Sequence, residues 1–140
     1  MAEQKKDVEK TLKEIVSKPV KIVAISGSLR KTSFNTGILR YLQSQKIEAV
    51  EFEVVAIDKL PMFNQDLEHK DDQTKDPEEV QAFRKKIREA DGVLFATPEY
   101  NFGMTGPLKN AIDWASRRGN AWKGKPYVLF YMYISIIYVF

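Results

Sequence analysis

Residues 27–36, Gly27-Ser28-Leu29-Arg30-Lys31-Thr32-Ser33-Phe34-Asn35-Thr36, gather the groups best suited to hold an anion. Gly27 lets the chain turn sharply. Ser28, Ser33, Asn35 and Thr36 supply neutral hydrogen-bond donors, and Arg30 supplies a charged, planar fork. Successive amides ahead of a helix can form an anion-binding nest, and the helix N-terminus adds free N–H groups and partial positive charge. The chemistry indicated is binding of a terminal phosphate. The same residues also suit an ordinary polar turn between a strand and a helix, with serine, threonine and asparagine acting only as caps. The loop is not a Walker loop, because no Gly-Lys-Ser/Thr follows, and it lacks the G-x-G-x-x-G dinucleotide fingerprint.

Such a loop works only if a strand and a helix hold it. Val20–Ser26 is a compact, β-branched apolar run, and its near-continuous hydrophobicity predicts a strand buried in a parallel sheet. Asn35–Lys46 predicts a helix with Ile38, Leu39 and Leu42 on its apolar face. Phe52–Ile57 predicts a second strand, and Leu60–Asp72 a loop. Asp76 is expected to cap the next helix, with Pro77 at its first position, Glu79 closing a capping box, and Val80, Phe83, Ile87 and Ala90 as its buried stripe. Val93–Thr97 predicts a third strand, Pro98–Gly106 a turn-rich loop, and Leu108, Ala111, Ile112 and Ala115 the stripe of a further helix. A fourth strand begins near Tyr127. Strands alternating with helices predict a doubly wound α/β sheet with helices on both faces, a three-layer αβα arrangement. Ligands in such sheets lie beyond the carboxyl ends of the strands where strand order reverses. The loops after the first and third strands are therefore the places for a site.

Composition narrows the classes. The chain has 140 residues, enough for one domain. A net charge of +3 suits a phosphate-bearing ligand and is too small to argue for nucleic acid. With no cysteine, a disulfide, an iron–sulfur cluster and a cysteine nucleophile are excluded. The single histidine, His69, stands among Asp66, Glu68, Asp71 and Asp72, which reads as a solvated loop and not as a metal site. The first residues carry Glu3, Asp7, Glu9 and Glu14 and no apolar core, which fits neither a signal nor a transit peptide and makes a cytoplasmic location the expectation. Residues 1–18 predict a helical extension with Val8, Leu12, Ile15 and Val16 on one face.

Three segments carry a resemblance. Gly27-Ser28-Leu29-Arg30-x-x-Ser33-x-Asn35 resembles the phosphate loop of the NADPH-dependent FMN reductase family, which includes quinone, chromate and azo-dye reductases of flavodoxin-like fold. Leu60–Glu68 (LPMFNQDLE) resembles that family's segment after the second strand, and Thr97–Trp114 (TPEYNFGMTGPLKNAIDW) resembles its second ligand loop and following helix. The likeness runs over about residues 20–126. It implies an FMN-binding domain over 19–126, with FMN phosphate at Ser28, Arg30, Ser33, Asn35 and Thr36. Pro98, Glu99, Tyr100, Asn101 and Phe102 would then border the isoalloxazine ring. It further implies an NAD(P)H oxidoreductase that passes electrons to a quinone-like acceptor, assembled as a homodimer or larger homo-oligomer. Hydride would move through the flavin, so no side chain need act as acid or base.

The resemblance stops after Lys125-Pro126. The chain continues YVLFYMYISIIYVF, where the family has a Gly/Ser-rich loop, another helix, a fifth strand and a final helix. Segment 127–140 is expected to hold the fourth strand and an apolar tail, with the final strand–helix unit lacking. A transmembrane helix needs about 20 residues, more than this tail provides. As an extended strand it would carry an aggregation signature. The alternative to an active reductase is a flavin-binding or non-catalytic remnant of the family.

Overall fold

Val20–Ser26 holds Val23, Ala24 and Ile25 essentially free of solvent, as a strand with neighbours on both sides must. The computed structural model describes residues 18–69 and 71–131. In chain order their main elements are β1 (Val20–Ser26), α1 (Phe34–Ser44), β2 (Val50–Val55), α2 (Glu78–Glu89), β3 (Gly92–Thr97), β4 (Glu99–Tyr100), β5 (Gly103–Met104), α3 (Gly106–Ser116) and β6 (Tyr127–Tyr131). The helical extension expected before residue 18 and the tail after residue 131 lie outside the described residues. Two 3-10 turns, Gln65–Leu67 and Gln73–Lys75, interrupt the long connection between β2 and α2.

Four strands form one wholly parallel sheet in the order β2-β1-β3-β6. Strand order reverses at β1, which places the switch point between the ends of β1 and β3. Alternate residues of each strand face opposite sides. Val23, Ile25, Val55 and Val93 face Phe83 and Ile87 of α2 and Leu108, Ala111 and Ala115 of α3. Ala24 and Ala96 face Leu39 of α1 on the other side. The protein therefore has the expected three-layer αβα, flavodoxin-like arrangement. β6 pairs with β3 along one side, and its five apolar or aromatic residues are exposed among the described residues.

Asp76 does not cap α2 as the sequence suggested. Pro77 occupies the cap position with no side-chain cap bond, and Asp76 is buried. Its carboxylate pairs with the Arg84 guanidinium, which is 2% exposed, and accepts the His69 amide at 2.8 Å. Arg84 Nε also donates to the Trp114 carbonyl at 2.9 Å. The buried stripe on α2 thus contains a charge, and the helix periodicity gave no sign of it. The start of the Leu60–Asp72 connection is also tied down. The Pro61 carbonyl accepts from Trp114 Nε1 at 2.7 Å and from Asn110 Nδ2 at 3.0 Å, while the Phe63 amide donates to Asn110 Oδ1 at 2.7 Å.

A second ionic group lies near the start of the sheet. Glu53 on β2 accepts from Lys86 of α2 at 2.8 Å and from Lys21 of β1 at 3.2 Å. The Lys86 ammonium, chiefly, and Lys21 hold its carboxyl below the ordinary value of 4.5, against a partial desolvation that raises it. A carboxyl whose pKa is lower when folded contributes stability above its unfolded pKa and loses it as pH falls through the folded one. Wild type should exceed Glu53→Gln in stability at pH 6, by under about 1 kcal/mol for a partly exposed pair. The gap should close as pH falls below the ordinary carboxylate value of 4.5 and through the lower folded-state one. Thermal unfolding across this range tests the prediction, and a gap that widens in acid refutes it.

Candidate functional site

The first loop leaves β1 through Gly27, whose amide donates to the Ala96 carbonyl of β3 at 2.8 Å. A β-carbon there would stand 2.1 Å from Thr97 Oγ1 and 2.6 Å from Thr97 Cβ, so only glycine fits. Ser33 caps α1, accepting from the Thr36 amide at 3.4 Å, and its carbonyl takes the Gly37 amide at 2.9 Å. The Phe34 and Asn35 amides, first in the helix, have no intrahelical acceptor by helix geometry. Ser26 Oγ and Thr36 Oγ1 lie 2.8 Å apart, and the Ser28 amide donates to Ser26 Oγ at 3.2 Å. Side-chain hydroxyls thus brace the loop from below.

Arg30 is exposed and, among the described residues, has no carboxylate partner. Its Nη2 donates to the Thr32 carbonyl at 3.1 Å, and the guanidinium stands 5.8 Å from the Phe34 ring centroid. Ser28, Arg30 and Thr36 line a cavity of about 450 Å³ together with Lys31, Arg40 and Asp58. Lys31 and Arg40 did not stand out in the sequence. Arg40 is four residues beyond Thr36 on the same helix, a spacing that puts both on one face. Ser33 and Asn35 are buried, and Asn35 Oδ1 has no hydrogen-bond partner.

The second loop holds a two-stranded hairpin that its turn-rich sequence did not announce. Tyr100 pairs with Gly103 across a two-residue turn, and both turn residues, Asn101 (φ 51°) and Phe102 (φ 60°), adopt left-handed backbone. Tight two-residue hairpins require that conformation. Asparagine tolerates it, whereas a residue such as phenylalanine gives up about 1–2 kcal/mol. At this turn Phe102 is 97% exposed. Pro98 and Glu99 are half-buried at the base, and Tyr100 and Asn101 are exposed. The next residue pair belongs to the frame: Thr105 caps α3 by accepting from the Leu108 amide at 3.4 Å, with Pro107 in the first turn.

The two sets of predicted residues are neighbours without sharing one cavity. The cavity at Ser28, Arg30 and Thr36 opens beside the end of β2. A second, apolar cavity of about 440 Å³ lies on the β6 side, where Met104 of the hairpin meets Phe95, Leu108, Trp122 and Leu129. Tyr100, Asn101 and Phe102 line neither. What joins the loops is Thr105, whose hydroxyl donates to the Gly27 carbonyl at 2.5 Å.

A parallel sheet with a capped, cation-bearing loop at its switch point and a hairpin beside it defines a flavodoxin-like domain. Comparison with known proteins gives the group. The NADPH-dependent FMN reductase family matches residues 20–135. An NADPH:quinone oxidoreductase of Arabidopsis thaliana is 50% identical over 110 residues, covering 76% of this chain and 55% of its own. An NAD(P)H-dependent FMN reductase of Pseudomonas aeruginosa is 42% identical over 112 residues, 79% of this chain and 58% of its own. The solved structure of FerB, a flavoenzyme NAD(P)H:(acceptor) oxidoreductase from Paracoccus denitrificans, superimposes with a TM-score of 0.70 at 39% identity, over 80% of this chain and 60% of that one. The chain belongs to the NADPH-dependent FMN reductase family. It spans about half the length of the curated relatives it matches.

Proposed function

We propose that this chain binds FMN, with the phosphate on the Gly27–Thr36 loop and the flavin ring toward Pro98–Phe102, as part of an NAD(P)H-dependent reductase of quinone-like acceptors. The observation that carries the reading is the first loop. It combines an exposed Arg30 free of carboxylates among the described residues with two helix-start amides without intrahelical acceptors. Those donors and that charge fit a phosphate monoester.

FMN, when bound, supplies hydride acceptance from NAD(P)H and electron delivery to the acceptor. The residues of this chain bind and orient. Arg30 neutralises phosphate charge, Ser28, Ser33 and Thr36 offer hydroxyls, and the hairpin at Glu99–Met104 presents amides and aromatic surface beside the switch point. None of them need move a proton. Homo-oligomeric assembly and a cytoplasmic location belong to the same proposal, both carried over from the sequence expectations.

Titrating the apo protein with FMN, by flavin fluorescence, tests the reading. Arg30→Ala should weaken FMN about 10- to 100-fold, the loss expected for one hydrogen bond to a charged group, and should leave riboflavin affinity unchanged. Equal losses for both flavins would place Arg30 elsewhere. A non-catalytic flavin-binding unit is the second reading. It is favoured by the placement of Tyr100, Asn101 and Phe102 outside both cavities. FMN binding without NADPH oxidation in the presence of a quinone selects it.

A further inference from the structure

Thr105 is 1% exposed and lies where the two loops meet. Its hydroxyl has one proton, and the Gly27 carbonyl can only accept, so the bond at 2.5 Å fixes the donor as Thr105. The hydroxyl lone pair then takes the Leu108 amide, the cap bond that starts α3. Gly27 is held at both ends of its backbone, its N–H by the Ala96 carbonyl and its C=O by Thr105. The carbonyl of Gly27 shares a peptide unit with the Ser28 N–H, a loop donor that rests on Ser26 Oγ. No space remains for slack, since a β-carbon on Gly27 would also stand 3.2 Å from Thr105 Oγ1. A shift of the first loop therefore moves Thr105, and Thr105 directly follows the hairpin strand Gly103–Met104.

We propose that Thr105 is a positioning residue that couples the two loops, so that a phosphate on the first loop and a flavin ring at the second reinforce each other's binding. The inference rests on the flavin reading given above for its ligands, and on the apo geometry for the coupling itself. Hydrogen bonds in series polarise one another, and binding that orders one loop lowers what the other must lose.

The test divides FMN into two probes, inorganic phosphate and lumiflavin, a flavin ring without a phosphate. In wild type, saturating phosphate should tighten lumiflavin at least about fivefold, with the reciprocal effect on phosphate. Thr105→Val, similar in shape and without the hydroxyl, should bring that factor to about one. Thr105→Ser should restore most of it, and the core control Ile87→Val should leave it intact. A factor of one in wild type with both probes bound, or an unchanged factor in Thr105→Val, overturns the proposal.

Amide hydrogen exchange on the apo protein gives an answer that does not depend on flavin. Thr105→Val should speed exchange at Ser28 and at Leu108 together, and Thr105→Ser should not. Faster exchange confined to Leu108 overturns the coupling. If wild type binds neither probe, the flavin reading fails and the exchange result alone decides for or against Thr105. Should Thr105→Val not fold, Thr105→Ala is read in the same way, and the wild-type factor stands as the deciding measurement.

Discussion

Gly27→Ala should cost the domain about 3 kcal/mol, the upper end for overpacking a tight site, and should leave the purified protein without retained FMN. The added methyl meets Thr97, a β-branched side chain that is 1% exposed, at distances of 2.1 and 2.6 Å. Thr97 cannot turn away, because its hydroxyl donates to the Pro98 carbonyl at 3.0 Å and its strand is locked between β1 and β6. The remaining relief is to push Gly27 off β3, which breaks the 2.8 Å bond to Ala96 and opens the start of the loop. The need here is for space, since the backbone of Gly27 is not in the left-handed region. Urea unfolding and the flavin absorbance after desalting measure both effects. A variant with wild-type stability and bound flavin would show that the strand ends are softer than the packing implies.

Removing one member of the Asp76–Arg84 pair should be the costliest change outside the loops. Both side chains are buried, with side-chain exposures of 0% and 2%. Deleting one charge strands the other, which costs about 3–5 kcal/mol in comparable buried pairs. Asp76→Ala leaves Arg84 with its Trp114 carbonyl bond and with Nη2 already lacking a partner. It also releases the His69 amide, and so loosens the connection that runs from β2 to α2. Equilibrium unfolding should show the loss, and limited proteolysis should show earlier cleavage within residues 60–76. The paired replacement Asp76→Leu with Arg84→Met should recover much of the stability, because apolar groups of similar size leave nothing unpaired. A cost under about 1 kcal/mol for Asp76→Ala would mean that water reaches the pair, against the burial argument.

The strands were legible because burial on both faces writes itself as a run of β-branched residues. Val20–Ser26 matched its expected limits, and the third strand began one residue earlier than expected, at Gly92. The second strand was displaced, Val50–Val55 in place of Phe52–Ile57, because its alternating glutamates blur the run. Helix stripes were equally readable: Val80, Phe83, Ile87 and Ala90 are all buried. Long-range polar bonds left no local trace. Asp76 before Pro77 looks like a cap by proximity, yet it is claimed by Arg84 eight residues on. The Asn101–Phe102 turn was hidden because phenylalanine seldom takes left-handed backbone. At the candidate site the phosphate-loop residues were visible by type and position. Lys31 and Arg40 were not, nor was the bond from Thr105 to Gly27, since these roles depend on which elements the sheet brings together.

The order of the sheet also sets a timetable for synthesis. Lys21 and Asp91 exchange two bonds at the start of β1 and β3, the Lys21 amide to the carboxylate and the Asp91 amide to the Lys21 carbonyl, across 70 residues. A ribosome adding about 5–20 residues per second needs roughly 4–14 s to cover that interval. Helices and local turns form in microseconds, and β1 can pair with β2 as soon as residue 55 emerges. The other edge of β1 must wait for residues 92–97, so the nascent chain carries an open, apolar strand edge for seconds. The duration of that exposure is set by the translation rate, and slow codons between residues 56 and 91 would lengthen it.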